Sequence, residues 1–565
     1  MIKMVMALRH GVLPRTLHVQ EPSPHVDWSA GDVRLLDQPV PWPAGGRPRL
    51  AGVSSFGISG TNAHAILEEP GVPNGADDEA VTADAAAEVA AGPVTTGSLA
   101  WLVSARSAEA LRAQAARLAG YLAARPELDP ADVAWSLATT RSVLEHRAVV
   151  TGRDREELAA GLAAVAAGKP AASVVSGEAP AGDPGRVVFV FPGQGGQWAG
   201  MGRELAEHCP VFADRLAACG AALAPYADWD LLEVLAGADG VPGLDRVDVV
   251  QPALWAVMVS LAAAWQAAGI APDAVVGHSQ GEIAAAVVAG VLSLDEGARV
   301  VALRSKALTA LSGQGGMASV AEPAAAVRDR IAAWGSRLTV AAVNGPAATV
   351  VSGEPRALAE LAAACEAAGV RARILPVDYA SHGPQVDQLR EQILAALDGI
   401  APGPALVPMV SAMTGEWLDG PEAGAAYWYD SLRCEVRFDR AAGVLAGSGH
   451  GVFVEVSPHP VLTAAITGTL EAAGAGGPGD ETPAVTGTLR RDDGGPDRFL
   501  ASLAQVHVRG TRVNWAAVLA GGQRVELPTY AFRHQRYWPE PVPVPGAAGG
   551  DGAGTAAEAQ FWAAV

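Results

Sequence analysis

The chain has 565 residues, 50% of them hydrophobic, and a formal net charge of −20 at neutral pH. Its length favours three or four domains, and its negative charge argues against nucleic acid or an anionic membrane surface as a partner. The four cysteines show neither a metal-ligand spacing nor the density of a disulfide scaffold. We therefore expect no metal site and a protein of the reducing cytoplasm.

The first 185 residues divide into two patterned stretches. Residues 1–70 show helix, loop and strand patterns and begin with a charged amphipathic stretch that is not typical of a signal peptide. A Pro-, Gly-, Asp- and Ala-rich segment at about 70–97 predicts a linker. From 98 to 185, strand patterns at 99–104 and 148–151 alternate with helical patterns, which predicts a small α/β unit.

A long apolar segment predicts a core helix. Residues 253–271 contain only two polar side chains, those of Ser260 and Gln266. The length approaches that of a membrane span, but alanine contributes little insertion energy. Pro252 occupies a favoured first position for a helix. We therefore predict a buried helix that begins near Pro252.

From residue 186 onward the pattern is that of a doubly wound α/β domain. A buried strand is predicted at 186–191, and strands then alternate with helices to about 480. A Gly- and Pro-rich segment at 474–483 predicts a second linker, and the Pro-, Gly- and Ala-rich residues 539–554 predict a flexible tail.

The strongest chemical signal is a strand-to-helix turn, Gly277-His278-Ser279-Gln280-Gly281. It has the form of a nucleophile elbow, in which a strained turn exposes a serine hydroxyl. The helix N-terminus that follows offers backbone N–H groups to an oxyanion. A side chain in place of either glycine would collide with the neighbouring strand or helix. The alternative is an ordinary glycine-bracketed turn that contains a serine.

Three further features are candidates for the same site. A serine nucleophile needs a base, and His382 follows a strand pattern at 373–377, although a structural loop histidine is the alternative. The glycine-rich loop after strand 186–191 lacks the Lys and Ser/Thr of a phosphate-binding loop, so it predicts an oxyanion-binding backbone or a tight turn. Arg304 shares a helix face with valines, so it needs a substrate anion, an internal partner or a path to solvent.

Together these motifs resemble the acyltransferase domain of a modular type I polyketide synthase. The resemblance is carried by Phe191-Pro-Gly-Gln-Gly195, the elbow, Arg304 and the His382 motif, and it covers essentially the whole chain. It implies an α/β fold with a hydrolase-like parallel-sheet core, an inserted ferredoxin-like subdomain and a small α/β linker domain. The implied segments are a ketosynthase C-terminal fragment at 1–70, a linker domain at 71–185, the acyltransferase domain at 186–485 with its subdomain at 316–378, a post-acyltransferase linker at 486–541 and a tail that opens a following region at 542–565.

The resemblance also implies a role for each site residue. Ser279 is the nucleophile, and His382 is the general base, oriented by a backbone carbonyl near 456–459. The other implied roles are backbone N–H donors of an oxyanion hole for Gln194 and Gln280, and a clamp for the free carboxylate of a malonyl-type unit for Arg304.

The implied reaction is acyl transfer. Ser279 takes a (methyl)malonyl unit from its CoA thioester and passes it to the phosphopantetheine thiol of an acyl carrier protein. No bound cofactor is implied. The implied partners are the carrier protein, a ketosynthase and other synthase domains. The condensing cysteine and histidines of a ketosynthase would lie upstream of this segment, so no condensation is predicted.

Three patterns resemble the methylmalonyl-selective branch of the family: Tyr379-Ala-Ser-His382, Gln280 after the nucleophile, and residues 246–251. The malonyl branch carries a Phe at the position of Ser381. A Phe there would fill the space beside the α-carbon of the acyl group, whereas a serine leaves that space open for a methyl group. One methyl group is worth about 1–3 kcal/mol of discrimination. We therefore expect a strong but imperfect preference for methylmalonyl-CoA, with Tyr379 and Ser381 in the substrate pocket. A malonyl-selective or promiscuous enzyme is the alternative.

Two readings from other classes remain at this point. An esterase or thioesterase would use the same elbow, but a hydrolase of neutral esters has no use for a buried carboxylate clamp at Arg304. A non-catalytic docking scaffold is the other, and the complete set of serine, histidine and arginine argues against it.

Overall fold

The computed structural model describes residues 1–19, 21–57, 59–70, 94, 96–474 and 483–533. Most of the linkers predicted at 70–97 and 474–483, and the whole tail at 542–565, lie outside these residues. The chain divides into two units, Met1–Ala90 and Ala91–Val565. The finer segment boundaries expected from the sequence stay predictions.

Within its described residues, up to residue 70, the first unit contains one short helix and two antiparallel strand pairs. Its elements are α1 (Ile2–His10), β1 (Val12–Leu13), β2 (Val40–Pro41), β3 (Leu50–Phe56) and β4 (Asn62–Glu68). β1 pairs with β2, and β3 pairs with β4 as a hairpin. Arg49 closes the open end of this hairpin: its Nε donates to Glu69 at 2.9 Å and its Nη2 donates to the carbonyl of Leu8 at 2.8 Å.

The second unit begins with a three-stranded antiparallel sheet covered by helices. Its elements are β5 (Leu99–Ala105), α2 (Ala108–Ala123), α3 (Pro130–Thr140), β6 (His146–Gly152), α4 (Arg155–Ala167) and β7 (Val174–Glu178). The sheet order is β5-β6-β7. The side chains of Ser107 and Asp154 cap α2 and α4. β5 and β6 contain both strands expected here, so the small α/β unit is confirmed.

Residues 186–518 contribute the remaining elements. The first stretch contains β8 (Arg186–Phe191), α5 (Arg203–His208), α6 (Pro210–Leu223), α7 (Leu231–Ala236), α8 (Val247–Ala267), β9 (Ala274–Gly277), α9 (Gly281–Ala289) and α10 (Leu294–Leu308). The inserted stretch contains β10 (Gly316–Val320), α11 (Ala324–Ile331), β11 (Leu338–Gly345), β12 (Ala348–Gly353), α12 (Pro355–Ala367) and β13 (Ala372–Ile374). The last stretch contains α13 (Arg390–Ala396), β14 (Met409–Ser411), β15 (Glu416–Leu418), α14 (Ala425–Arg433), β16 (Val436–Arg437), α15 (Phe438–Gly447), β17 (His450–Glu455), α16 (Thr463–Ala472), β18 (Ala484–Gly487), α17 (Pro496–His507) and α18 (Trp515–Val518).

The central sheet has the order β15-β14-β9-β8-β17-β18 and is parallel except for β15. Its inner strands β8 and β9 are buried apolar runs, as expected for strands covered on both faces. On one face Phe189 contacts Trp265 of α8, with ring centroids 6.4 Å apart. On the other face Val188 and Val190 share a buried cluster with Phe438 of α15. The predicted α/β core is confirmed.

The inserted stretch forms a second, five-stranded sheet of order β13-β10-β12-β11-β16. The first four strands of this order are antiparallel to their neighbours, and β16 joins in parallel. Strand order, antiparallel pairing and the helices α11 and α12 between strands are those of a ferredoxin-like unit. The expected inserted subdomain is therefore confirmed.

Helix α8 is the apolar segment singled out in the sequence. It is long and apolar enough to cross a membrane by length and composition, yet 89% of its most apolar window is buried inside the protein. The predicted start at Pro252 is wrong, because the helix begins at Val247 and contains the proline. A helix-interior proline costs about 3 kcal/mol, but burying a valine contributes about 1.5–3 kcal/mol. Val247, Val249 and Val250 are all buried, so the extra turn is stable.

The last described segment runs back across the small sheet. Arg141 donates from Nη2 to the carbonyl of Leu527 at 3.0 Å, and the backbone N–H of Arg106 donates to the hydroxyl of Tyr530 at 3.2 Å. These bonds join the end of the described chain to the loops that follow β5 and α3.

Candidate active site

The turn between β9 and α9 has the strained geometry of a nucleophile elbow. Ser279 has φ +56°, in the left-handed region, which costs a non-glycine residue about 1–2 kcal/mol. A Cβ on Gly277 would overlap the backbone of Glu282 in α9, and a Cβ on Gly281 would overlap the carbonyl of Phe191 in β8. Both glycines are therefore needed for the close approach of strand, turn and helix, as expected from the sequence.

Ser279 and His382 are in direct contact. Nε2 of His382 lies 2.8 Å from Oγ of Ser279, and Nδ1 lies 2.9 Å from the carbonyl oxygen of Cys434. Because a carbonyl only accepts, Nδ1 carries the proton and Nε2 presents its lone pair to the serine hydroxyl. The expected carbonyl near 456–459 is wrong. The backbone N–H of His382 donates to Leu432 at 2.9 Å, which docks the histidine loop against the end of α14 instead.

The environment of His382 keeps its ring neutral. Burial lowers the pKa of His382 to about 3, and the nearby His278 and Arg304 lower it further by electrostatic repulsion. His382 also has φ +56°, so both members of the contacting pair have strained backbones. Such strain persists only where the surroundings hold it, and it is common at active sites.

The loop after β8 lies directly beside the elbow. A Cβ on Gly193 would lie 3.6 Å from Cβ of Ser279, so the next residue, Gln194, is close to the serine. Among the described residues, neither the backbone N–H of Gln194 nor that of Gln280 donates to a protein acceptor. Both groups therefore remain available for an oxyanion.

Arg304 is buried in the same region with one edge of its guanidinium open. Its side chain is on α10, and the residue is only 1% exposed. Nη1 donates to Oγ of Ser431 at 3.2 Å, but within the described part of the chain Nε and Nη2 have no partner. Burial lowers the pKa of Arg304 to about 10, so it stays charged at neutral pH. Among the described residues, the guanidinium of Arg304 has neither an ion-pair partner nor a path to solvent. Of the three alternatives expected from the sequence, a substrate anion remains.

The open edge is the one that arginines use to bind a carboxylate through two parallel bonds. This chain contains an example. Arg330 donates from Nε and Nη2 to the two carboxylate oxygens of Glu322, at 2.9 and 2.6 Å. The equivalent donors of Arg304 are therefore able to bind a carboxylate from a ligand.

A buried carboxyl group lies near Arg304. Glu282 is on α9, one turn beyond the serine, and accepts hydrogen bonds from the hydroxyl of Tyr427 at 2.7 Å and the backbone N–H of Ala412 at 3.2 Å. Burial raises the pKa of Glu282, and the positive charge of Arg304 opposes that rise. Glu282 thus offsets part of the cost of burying the guanidinium without binding its open edge.

The two residues expected in the substrate pocket are both buried. Tyr379 donates its hydroxyl to Oε1 of Gln194 and accepts from Nε2 of Gln251 at 3.3 Å. Gln251 is the last residue of the 246–251 pattern, so two patterns read separately in the sequence meet at one hydrogen bond. The hydroxyl of Ser381 lies 3.6 Å from the sulfur of Met317 in β10.

Several other buried polar atoms around Ser279 also have no protein partner. Within the described residues they include both side-chain heteroatoms of Gln280, Oε1 of Gln251 and Nδ1 of His278. Buried polar groups are nearly always hydrogen-bonded, so this cluster indicates a surface that meets a polar ligand or water.

Sequence reasoning missed Cys434, Glu282 and Asn344. Cys434 contributes only its backbone carbonyl, which leaves no side-chain signal. Asn344 of β11 accepts from Nε2 of His278 at 2.8 Å and joins the elbow to the ferredoxin-like sheet. Glu282 is an acid in an otherwise apolar helix, and that contrast was a usable signal. Across the described residues, no group of three or more His, Cys, Asp or Glu side chains is placed to hold a metal ion.

The fold and this site define an α/β protein with a nucleophile-elbow turn and a contacting serine–histidine pair, and comparison with known proteins identifies its family. The model of the acyl transferase domain matches residues 188–513, and that of the ketoacyl-synthetase C-terminal extension matches residues 22–151. The chain belongs to the acyl transferase domain family and is of the modular polyketide synthase type, with a ketosynthase-associated extension.

Its relatives are polyketide synthases. Polyketide synthase GfsA of Streptomyces halstedii is 56% identical over 558 residues, which cover 97% of this chain but 7% of that protein. The acyltransferase domain from module 8 of the salinomycin polyketide synthase is 57% identical with a TM-score of 0.72, covering 75% of this chain and 99% of that one. The acyl transferase domain of SpnD, in complex with a 2-(pent-4-yn-1-yl)malonyl group, is 31% identical with a TM-score of 0.66, covering 76% and 99%.

Proposed function

We propose that this domain transfers a methylmalonyl unit from CoA to Ser279, and from there to the phosphopantetheine thiol of an acyl carrier protein. The observation that carries the proposal is the open Nε/Nη2 edge of Arg304, buried near the contacting pair of Ser279 and His382. A carboxylate matches two parallel N–H donors better than any neutral acyl group does. The substituted malonyl group bound by a solved relative supports a carboxylated acyl group here.

In the first half-reaction the thioester carbon is attacked by Oγ of Ser279. Nε2 of His382 takes the hydroxyl proton, and burial keeps the ring neutral, which leaves the lone pair free for this step. The negative charge that develops on the carbonyl oxygen meets the backbone N–H groups of Gln194 and Gln280. The carbon–sulfur bond then breaks, and the CoA thiolate leaves with the proton from Nε2. The product is an acyl ester on Ser279.

In the second half-reaction the thiol of phosphopantetheine replaces the serine. Nε2 of His382 takes the thiol proton, and the thiolate attacks the ester carbon. The same two N–H groups hold the oxyanion, and the Ser279 oxygen leaves with the proton from Nε2. Arg304 binds the free carboxylate in both half-reactions, so it selects the acyl group and fixes the carbonyl carbon beside the serine.

The preference for methylmalonyl over malonyl is a matter of volume around Ser381. The hydroxyl of Ser381 contacts the sulfur of Met317 at 3.6 Å, and both Ser381 and Tyr379 are buried, so a larger side chain at position 381 would take up volume that an acyl methyl group could use. One methyl group that fills this space is worth about 1–3 kcal/mol. The preference is therefore strong but incomplete.

The domain works without a bound cofactor, and CoA and phosphopantetheine are carriers of the substrate. Its protein partners are an acyl carrier protein, a ketosynthase and other domains of a synthase. The ketosynthase-associated extension at 22–151 supports this setting. We place the protein in the cytoplasm, where acyl-CoA is available, with neither nucleic acid nor a membrane as a partner.

Intact-protein mass spectrometry after mixing with methylmalonyl-CoA tests the proposal. We expect one methylmalonyl group per chain, no group on the Ser279→Ala variant, and loss of the group when a pantetheinylated carrier protein is added. Rapid release of methylmalonic acid without carrier protein would instead identify a hydrolase. No mass gain under any condition would identify a non-catalytic scaffold. Cys434→Ala is the matched control, because that residue contributes only its backbone carbonyl to the pair.

A further inference from the structure

We propose that Tyr379 and Gln251 are positioning residues for the oxyanion hole and act through the side chain of Gln194. Tyr379, a residue of the acyl pocket, would then also affect the rate of acyl transfer. The inference rests on the proposed function, because it takes the backbone N–H of Gln194 as an oxyanion donor.

The three side chains form a closed ring of hydrogen bonds. The hydroxyl of Tyr379 donates to Oε1 of Gln194. Nε2 of Gln251 has two protons and donates one to Oε1 of Gln194 at 3.1 Å and the other to the hydroxyl of Tyr379 at 3.3 Å. Each donor in the ring meets an acceptor, so one arrangement of the Gln194 amide satisfies all three bonds.

Two members of this hydrogen-bonded ring are buried, and the third lies in a glycine-rich loop. Gln251 and Tyr379 are 4% and 5% exposed, one on the buried helix α8 and one in the loop after β13. Gln194 lies between Gly193 and Gly195, and Gly195 has φ +130°. Glycine neighbours give a backbone wide freedom, so the side chain of Gln194 is one anchor for its own N–H group, beside the bond from the Gly195 N–H to Oε1 of Gln197 at 2.7 Å.

An oxyanion donor stabilises the transition state only when it is held in place beforehand. Loss of the ring would let the backbone of Gln194 move while leaving Ser279, His382 and Arg304 in position. The expected effect is therefore on kcat and not on KM, and it applies equally to every acyl group. A change at Tyr379 that alters selectivity would also slow the enzyme.

Rapid-quench measurement of Ser279 acylation in the Tyr379→Phe variant tests this. The substitution keeps the aromatic side chain and removes the hydroxyl that donates to Gln194. We expect kcat to fall by about three- to tenfold, with KM and the methylmalonyl-to-malonyl ratio unchanged. We expect the acid limb of the pH profile, which reports His382, to stay where it is. In a Gln194→Met background the same substitution should have no further effect, because both changes act through one side chain.

An unchanged kcat in Tyr379→Phe, or an equal further loss in the Gln194→Met background, would overturn the inference. Tyr429→Phe is the matched control: it removes a tyrosine hydroxyl that bonds Asp387 at 3.0 Å, outside the ring, and should leave kcat unchanged. If Tyr379→Phe does not fold, Gln251→Met gives the same readout. Failure of the unsubstituted protein to acylate Ser279 would refute the proposed function, whereas normal acylation with an unaffected Tyr379→Phe would refute this inference alone.

Discussion

Replacing Arg304 with methionine removes the buried charge while keeping a side chain of similar length. The structure leaves two N–H donors, Nε and Nη2, for a ligand. A hydrogen bond to a charged group contributes about 1.5–3 kcal/mol, so two such bonds contribute about 3–6 kcal/mol. Since about 1.4 kcal/mol corresponds to a factor of ten, we expect the preference for a carboxylated acyl group to fall by about 10² to 10⁴.

The assay compares methylmalonyl-CoA with propionyl-CoA, which differs only by the missing carboxylate. The ratio of their kcat/KM values for acylation of Ser279 isolates the contribution of Arg304 to transition-state binding. Arg304→Lys is the control, because it keeps the charge but loses the planar pair of donors, and it should retain only part of the preference. An Arg304→Met variant with the full preference would refute the role assigned to this residue.

The same variant separates a ligand-binding arginine from a structural one. Arg304 forms one side-chain bond, to Ser431, and no ion pair within the described residues. Burying a charge that lacks a salt-bridge partner is costly, so replacing it with an apolar side chain removes that cost. We therefore expect the unfolding temperature of Arg304→Met to equal or exceed that of the unsubstituted protein, although Glu282 nearby loses a favourable charge.

Three other outcomes follow from the geometry. Gly281→Ala should abolish Ser279 acylation and destabilise the fold by about 1–3 kcal/mol, since its Cβ would overlap β8; Gly443→Ala, where a Cβ meets nothing within 4 Å, should not destabilise it in the same melting experiment. Tyr379→His with Ser381→Phe should shift competition between the two CoA esters toward malonyl-CoA, and an unchanged ratio would count against the volume argument. The kcat/KM of acylation should stay level as the pH falls through 6.5, because burial lowers the pKa of His382 to about 3; a half-maximal value near 6.5 would contradict this.

The burial of two histidines also predicts how the free energy of unfolding depends on pH. His382 and His507 each have a pKa of about 3 in the folded protein, so below 6.5 the unfolded chain binds more protons than the folded one. The free energy of unfolding should therefore fall as the pH is lowered from 6.5 toward 3, by up to about 1.4 kcal/mol per pH unit for each histidine. Chemical denaturation at several pH values measures this slope, and a His507→Gln variant should lose part of it.

The elbow was predictable from the sequence because its requirements are local. Gly277 faces Glu282 within the same strand–turn–helix unit, whereas Gly281 faces the carbonyl of Phe191 in the neighbouring strand β8, and both belong to one five-residue motif that the sequence displays. The contact of Ser279 with His382 required the family resemblance, since the two residues are 103 positions apart and only the fold joins them. The role of Arg304 was visible as a charge on a valine-rich face, but the sequence left its partner open.

The features that the sequence did not predict depend on how separate elements pack. The carbonyl of Cys434 reaches His382 because the end of α14 docks on the histidine loop, and a backbone carbonyl has no residue-specific signal. The start of α8 at Val247 depends on the burial of valines against other helices, which outweighs the local signal of Pro252. The bond from Gln251 to Tyr379 joins two patterns whose relation is set only by the packing of α8 beside the loop after β13.

A crystal structure of the acyl-enzyme, formed with methylmalonyl-CoA in the absence of carrier protein, tests the convergence of the three side chains most directly. We expect an ester on Oγ of Ser279, its carbonyl oxygen facing the N–H groups of Gln194 and Gln280, and the free carboxylate bound by Nε and Nη2 of Arg304. An acyl group on another side chain, or a carboxylate bound away from Arg304, would contradict this expectation.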